Sequence, residues 1–157
     1  MNYGAAAEAR ELPAGVTMMQ MMAGKWVSRS ISVAAELGIA DLLANGECST
    51  SELAAAANAH EPSPYRLLRG LASLGAFTEG APRRFALTPL AETLRSDTPG
   101  SVRAMARFTT MPLSWDAWRE LSHPVRTGET GLKRLGIENP FAYLQSPPMK
   151  LRCSTRP

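Results

Sequence analysis

The sequence lacks a glycine-rich loop of the kind that holds a nucleotide. None of its 12 glycines lies two residues from another, so the motif G-x-G does not occur. There is also no strand–loop–helix pattern with an acidic residue at the spacing that would hold a ribose hydroxyl. The chain as given therefore offers no conventional dinucleotide-type site, and we expect it to bind no cofactor of its own.

Cysteine and histidine are also scarce, with two of each. Cys48 and Cys153 show neither a disulfide framework nor a metal-binding spacing, which favours a reduced, cytoplasmic setting. His60 and His123 have no carboxylate or thiol at ligand spacing, so we expect structural or surface histidines and no metal site. No catalytic constellation is recognisable.

Long hydrophobic runs and charge of one sign are missing too. No apolar run approaches the ~20 residues that span a bilayer, and acidic residues near the start exclude a basic signal-peptide region. We therefore expect no membrane association. The net charge is only +3, although the pI is about 9.2. This charge allows a nucleic-acid partner but does not demand one.

The most informative stretch begins with a capped helix. Ser63 is predicted as its N-cap and Pro64 as its first residue, where a missing N–H costs nothing. Gly75 is predicted to end it in a left-handed conformation. The apolar face is formed by leucines at helical spacing: Leu67, Leu68, Leu71 and Leu74.

Two short apolar runs follow this helix, at residues 76–78 and 85–87. The segment 79–84 between them contains glycine and proline and is typical of a hairpin turn. A helix followed by such a hairpin is the pattern of a winged helix-turn-helix.

Residues 16–37 form the longest helical pattern. Met18, Met22 and Trp26 follow at i, i+4 and i+8, while a second face carries Met19, Val27, Ile31, Ala34 and Ala35. A helix that is apolar on two faces is buried on two faces. One face can meet the chain's own core, and the other is predicted to meet a second subunit or to line an apolar pocket. Ordinary core packing is the alternative that periodicity leaves open.

Further helix boundaries are predicted from local chemistry. Ser49 and Glu52 form a capping-box pattern, and Gly38 is placed to end the long helix. His123-Pro124 is predicted to stop a helix. Four more helix starts are predicted at Thr88-Pro89, Thr98-Pro99, Ser114 and Asn139-Pro140.

Taken together, these segments resemble the N-terminal domain of bacterial S-adenosylmethionine-dependent O-methyltransferases that act on polyketides, phenazines and similar small molecules. Plant natural-product O-methyltransferases share the architecture. The resemblance covers about residues 16–146 and is carried by stretches in the family's order: 34–44, 49–56, 65–77, 85–97, 115–121, 125–129 and 141–144.

The resemblance implies a mainly α fold, a winged helix-turn-helix dimerisation domain with a small β-hairpin wing and extra helices. It implies a homodimer that helps to form the pocket for a small aromatic or polyketide-like substrate. In the family, S-adenosylmethionine binds to a second, larger domain. We find no such domain here, so we expect no methyl transfer by this chain alone; the sequence leaves open whether it is an enzyme.

The resemblance also suggests a division of the chain. We expect a flexible N-terminus at 1–15, the winged-helix domain at 16–100, a helical linker at 101–146 and an aberrant tail at 147–157. The tail has no periodicity, and we interpret it as a truncation or frameshift near Pro148, or as the end of a fragment.

Two sets of site residues follow from the two functions considered. Candidates for the substrate pocket or dimer interface are Met18, Met22, Trp26, Phe108, Met111 and Trp115. The alternative function is a winged-helix DNA-binding transcriptional regulator, whose contacts would be Arg66, Arg69, Arg83 and Arg84. The low net charge and the family pattern favour the first function, with no nucleic-acid partner.

Overall fold

The computed structural model describes residues 12–145, which form two compact units that divide between Thr110 and Met111. The predicted flexible start lies outside this range as far as residue 11, and the predicted aberrant tail at 147–157 lies outside it entirely. The domain boundaries proposed from the sequence stay a prediction.

The first unit contains six helices and three strands among the described residues. In chain order these are α1 (Ala14–Glu36), α2 (Ile39–Leu42), β1 (Cys48–Ser49), α3 (Thr50–Ala56), α4 (Pro62–Ala72), β2 (Phe77–Glu79), β3 (Arg84–Leu87), α5 (Pro89–Glu92) and α6 (Arg103–Phe108). The second unit is described as four helices: α7 (Pro112–Arg119), α8 (Ser122–Thr127), α9 (Gly131–Arg134) and α10 (Pro140–Gln145). The predicted mainly α fold with a winged helix is confirmed.

The turn between α1 and α2 is made by a left-handed glycine. Gly38 has φ = +67°, a conformation that side-chain-bearing residues rarely adopt. The turn lets Ile39 enter the core, where it is fully buried. The sequence therefore predicted this turn correctly, and α1 begins two residues before the expected Val16.

Helix α4 begins earlier than predicted. Its first residue is Pro62 and the preceding residue is Glu61, whose side chain makes no capping hydrogen bond. Ser63, the predicted N-cap, lies inside the first turn. Two prolines at the first and third helical positions remove two of the N–H groups that a cap would otherwise have to satisfy. Leu74 was also misassigned, because it lies beyond the helix and is exposed.

The wing is a sheet of three strands. β3 lies in the centre and pairs antiparallel with both neighbours, in the order β1-β3-β2. Phe77 pairs with Leu87 across the hairpin, and Cys48 pairs with Phe85 on the other side. β1 was missed from the sequence because two residues show no periodicity of their own.

One hydrophobic core holds α1, α2, α3, α4, α5 and the sheet together. Its largest fully buried side chains are Ile39, Leu43, Leu53, Leu68, Leu71, Phe77 and Phe85. Burying each of these removes enough apolar surface from water to contribute about 1.5–3 kcal/mol. The second half of α1 packs against this core, whereas its first half does not.

The predicted helix caps divide into correct and incorrect ones. Ser49 and Glu52 form the predicted capping box, and Thr88 accepts a hydrogen bond from the Ala91 N–H at the start of α5. At the start of α10, Asn139 Oδ1 accepts hydrogen bonds from the N–H groups of Phe141 and Ala142. The predicted start at Asn139-Pro140 is therefore confirmed.

Three other predictions of helix ends are wrong. Thr98 caps no helix, because α6 begins only at Arg103. Ser114 lies inside α7, which begins at Pro112. His123 and Pro124 lie inside the first turn of α8, where a proline is tolerated, so they do not stop a helix there.

The two cap assignments on α3 and α4 can be tested directly. We expect Ser49→Ala to lower the free energy of unfolding by about 1 kcal/mol, because it removes the hydroxyl that accepts from the Glu52 N–H. The matched control is Ser63→Ala, which should change it by less than about 0.5 kcal/mol. Urea denaturation followed by circular dichroism measures both. Equal losses would contradict the cap assignment.

Candidate functional site: an uncharged helical face

The first half of α1 is an exposed and uncharged helical segment. From Leu12 to Gly24 there is no charged side chain, and every residue except the half-buried Ala23 is exposed. The first fully buried residue of the helix is Ser32. Because a helix rises ~1.5 Å per residue, the helical part of this segment, from Ala14 to Gly24, extends ~15 Å without a fully buried residue.

The exposed segment carries large apolar side chains on more than one side. The predicted Met18, Met22 and Trp26 are 56%, 59% and 64% exposed and share one stripe of the helix. Met19 and Met21, which are not among the predicted site residues, are exposed at 66% and 72%. The absence of charge on every side of the segment was the feature of the sequence that could have identified them.

The second half of α1 is anchored by polar contacts as well as by the core. Ser32 is fully buried, and its Oγ accepts a hydrogen bond of 2.6 Å from Thr110 Oγ1. The Arg29 guanidinium donates to Thr110 Oγ1 at 2.9 Å and to Glu36 Oε1 at 2.7 Å. We call these four residues the α1 clasp. It ties the segment after α6 to α1.

A second polar contact fixes the start of α6. The Arg103 guanidinium donates to the Ala35 carbonyl at 3.1 Å and pairs with the carboxylate of Asp41. The other carboxylate oxygen of Asp41 accepts from the Ser96 N–H at 2.7 Å and from the Ser96 hydroxyl at 3.1 Å. Partial burial alone would raise the pKa of Asp41, but the Ser96 hydrogen bonds and then Arg103 outweigh it, so the pKa is lowered.

The remaining pocket or interface candidates lie on other helices. Phe108 is at the end of α6 and is exposed, as is Met105 on the same helix. Met111 and Trp115 lie one turn apart at the start of α7, in the second unit, where the Trp115 N–H donates to the Met111 carbonyl. The structure thus groups Met18, Met22 and Trp26 on one stripe. Their role in a pocket stays a prediction.

The four arginines proposed for DNA contact occupy different environments. Arg66 and Arg69 are exposed on α4. Arg83 is exposed in the wing turn, with its guanidinium 5.0 Å from the centre of the Tyr65 ring. Arg84 is half-buried and pairs with Glu47 at 3.0 Å and Glu52 at 3.7 Å, so its charge stabilises the wing rather than facing a ligand.

Neither a membrane span nor a metal cluster occurs among residues 12–145. No described helix is long and apolar enough to cross a bilayer, and no group of three or more potential metal-binding side chains comes together there. Nucleotide-type cofactors of doubly wound proteins sit at the carboxyl ends of parallel strands. The described sheet is antiparallel with strands of two to four residues, so this part of the chain does not fit such a cofactor.

Comparison with known proteins gives a consistent result. Residues 19–97 match the family described as the O-methyltransferase dimerisation domain. Phenazine O-methyltransferase PhzM of Lysobacter antibioticus is 42% identical over 137 residues, which cover 87% of this chain and 40% of that protein. The chain therefore spans about two fifths of the length of this curated relative.

Solved structures match over a similar range. The crystal structure of LaPhzM aligns with a TM-score of 0.80 and 44% identity, covering 85% of this chain and 40% of that one. Human N-acetylserotonin methyltransferase, solved in complex with SAM, aligns with a TM-score of 0.74 and 27% identity over 87% of this chain and 42% of that chain. The similarity to methyltransferases thus lies in both sequence and fold.

The α1 clasp can be tested by removing one hydroxyl. We expect Thr110→Val to lower the free energy of unfolding by about 1–2 kcal/mol, because it breaks two hydrogen bonds at a residue that is only 7% exposed. The control is Thr109→Val. Its hydroxyl is exposed and bonds only to its own helix at the Ala106 carbonyl, so its effect should stay within about 0.5 kcal/mol. Urea denaturation measures both variants, and similar losses would argue against the clasp.

The Asp41 contact predicts a pH dependence. Because folding lowers the pKa of Asp41, its ionised form stabilises the fold above its unfolded pKa, and this stabilisation is lost as the pH falls through the lowered pKa, below about pH 4. We expect Asp41→Asn to be less stable than the wild type at neutral pH and the difference to shrink in acid. Urea unfolding at neutral and acidic pH measures it. A difference that grows in acid would contradict the assignment.

Asp116→Asn is the matched control for this experiment. It removes a carboxylate that, within residues 12–145, pairs only with Arg119 on the same helix turn, at 3.4 Å. Such a partly exposed pair contributes little to stability.

Proposed function

The chain belongs to the O-methyltransferase dimerisation-domain family, and from this premise we propose that it pairs two copies of itself through the first half of α1. Dimerisation domains of natural-product O-methyltransferases are what it matches in sequence and in fold. The observation that supports the proposed interface is the exposed, uncharged segment from Leu12 to Gly24.

Exposed apolar surface of this extent is unfavourable in water and typical of a binding surface. A second copy can cover it without desolvating any charge, which is the usual cost of burying a polar surface. Methionine side chains adapt their shape to an irregular partner surface, and four of them lie within Met18–Met22. The residue types therefore suit a helix that packs against another helix.

The rest of the first unit holds this segment in place. The α1 clasp, the Arg103–Asp41 pair and the core all fix the second half of α1. Since one continuous helix joins both halves, the exposed half is presented in a defined direction rather than as a loose end. A preformed surface loses less conformational entropy on binding.

We propose further that the chain serves an enzyme that methylates a small aromatic or polyketide-like molecule with S-adenosylmethionine in the cytoplasm. The support is the family match, because the relatives are methyltransferases and one is solved with SAM. In this proposal Met18, Met22, Trp26, Phe108, Met111 and Trp115 would line the substrate pocket or the dimer interface. In this proposal the methyl donor is bound by a part of the enzyme other than residues 12–145, whose short antiparallel sheet does not fit a nucleotide-type cofactor.

No observation favours the DNA-binding alternative. Arg84, one of its four proposed contacts, is engaged by two glutamates, and the family match is to methyltransferase domains. We therefore do not propose it as a second function.

The proposed interface is tested by placing charge on it. We expect the wild type to have the mass of a dimer in light scattering, and Met18→Glu/Met22→Glu to weaken dimerisation at least about a hundredfold. Two carboxylates without partners would have to be buried, each at a cost of a few kcal/mol. Circular dichroism should show that the helices are retained.

The matched control adds the same charge elsewhere in the first unit. Ser73→Glu/Thr78→Glu changes two exposed polar residues outside α1 and should leave the dimer intact. A monomeric wild type, or a dimer that tolerates Met18→Glu/Met22→Glu, would contradict the proposed interface.

A further inference from the structure

Three arginines on α4 and in the wing turn are exposed and form no ion pair among residues 12–145. Among the ion pairs of residues 12–145, seven basic side chains other than histidine take part: Arg29, Arg84, Arg95, Arg103, Arg119, Lys133 and Arg134. Arg66, Arg69 and Arg83 do not. We call these three residues, with Tyr65 between them, the arginine surface.

The helix and the wing place the three arginines around Tyr65. Arg69 lies one turn after Tyr65 on α4, and Arg66 lies one turn before Arg69 on its other side. The Arg83 guanidinium lies over the Tyr65 ring at 5.0 Å, and this ring contacts Phe85 of the core at 6.2 Å between centroids. Tyr65 therefore connects the wing arginine to those of the helix.

The backbone of Arg83 is held in an unusual conformation. Its φ is +60°, in the left-handed region that normally favours glycine. Its carbonyl accepts two hydrogen bonds from the buried Thr50, one from the N–H at 2.8 Å and one from the hydroxyl at 3.0 Å. Strained residues that the surrounding structure holds in place are concentrated at functional sites. The fold thus holds an arginine at a position where glycine would adopt the backbone conformation with less strain.

Glu79 of β2 is the acidic residue nearest in sequence to Arg83, and it forms no ion pair among residues 12–145. Three other acidic residues around α4 and the wing contact other groups. Glu61 accepts a hydrogen bond from Ser51 at 2.5 Å, and Glu47 and Glu52 pair with Arg84. None of these carboxylates forms an ion pair with Arg66, Arg69 or Arg83, so the three guanidinium groups can bind a ligand. Guanidinium groups bind carboxylates with two parallel hydrogen bonds, which gives both strength and orientation.

From these observations we propose that the arginine surface docks a carboxylate-rich segment of a partner protein. This function goes beyond dimerisation and uses α4 and the wing rather than α1. A nucleic-acid duplex is the less suitable ligand. Its affinity grows with the number of phosphates neutralised, and three charges neutralise few.

The test is a fluorescence-polarisation titration of the full chain at physiological ionic strength. The probes are a labelled decaglutamate peptide, a decaglutamine peptide and a short random-sequence DNA duplex. We expect the decaglutamate to bind most tightly, and Arg69→Ala/Arg83→Ala to weaken it at least tenfold. Arg107→Ala/Arg126→Ala is the matched control, because it removes two exposed arginines that lie outside the arginine surface and form no ion pair in residues 12–145. This control should change the affinity less than twofold.

A variant that is compatible with the left-handed backbone separates an effect on binding from an effect on folding. Arg83→Gly accommodates the left-handed backbone without strain, so we expect an unchanged melting temperature together with weaker decaglutamate binding. The proposal is overturned if the duplex binds more tightly than decaglutamate, or if both double variants lose affinity equally. It is also overturned if the variants change the mass in light scattering, since the arginines would then belong to the contact between two copies.

Discussion

The anchoring of the second half of α1 is the constraint on which the rest of this molecule depends. Ala34 and Ala35 pack into the core, while Ser32 forms a buried hydrogen bond with Thr110. These contacts hold one end of a ~34 Å helix rigidly, while the other end does not pack against the chain's own core. Without them, the apolar first half of α1 would have no fixed orientation and could not present a defined surface.

The two proposed surfaces differ in the physics that leaves them available. The first half of α1 is uncharged, and burial by a second copy removes apolar area from water with little desolvation cost. The arginine surface is the opposite case, in which three exposed charges form no ion pair among the residues that the structure describes. Each surface therefore fits a different partner, a like helix in one case and a carboxylate in the other.

The features that sequence patterns predicted correctly are ones that contacts within a few residues complete. Gly38 and the Ser49–Glu52 capping box were predicted correctly, because a left-handed turn and a reciprocal cap are completed within a few residues. Thr98 carries the same kind of signal and caps nothing, since the Val102 N–H bonds back to the Thr93 carbonyl and a turn replaces the helix start. β1 forms only because β3 lies beside it, which no pattern within two residues reveals. The exposure of Met19 and Met21 likewise depends on where the core ends.

The clasp also connects stability to assembly. Its residues lie in the anchored half of α1 and after α6, far from the methionines, so they contribute no area to the proposed contact between two copies. They act on that contact by restricting the orientations available to the exposed half. If the clasp is lost, the exposed half of α1 loses more conformational entropy when the partner binds, and this loss weakens binding. Dimer affinity should therefore decrease in clasp variants although no interface side chain has changed. Side-chain contact across the interface would not by itself produce this decrease.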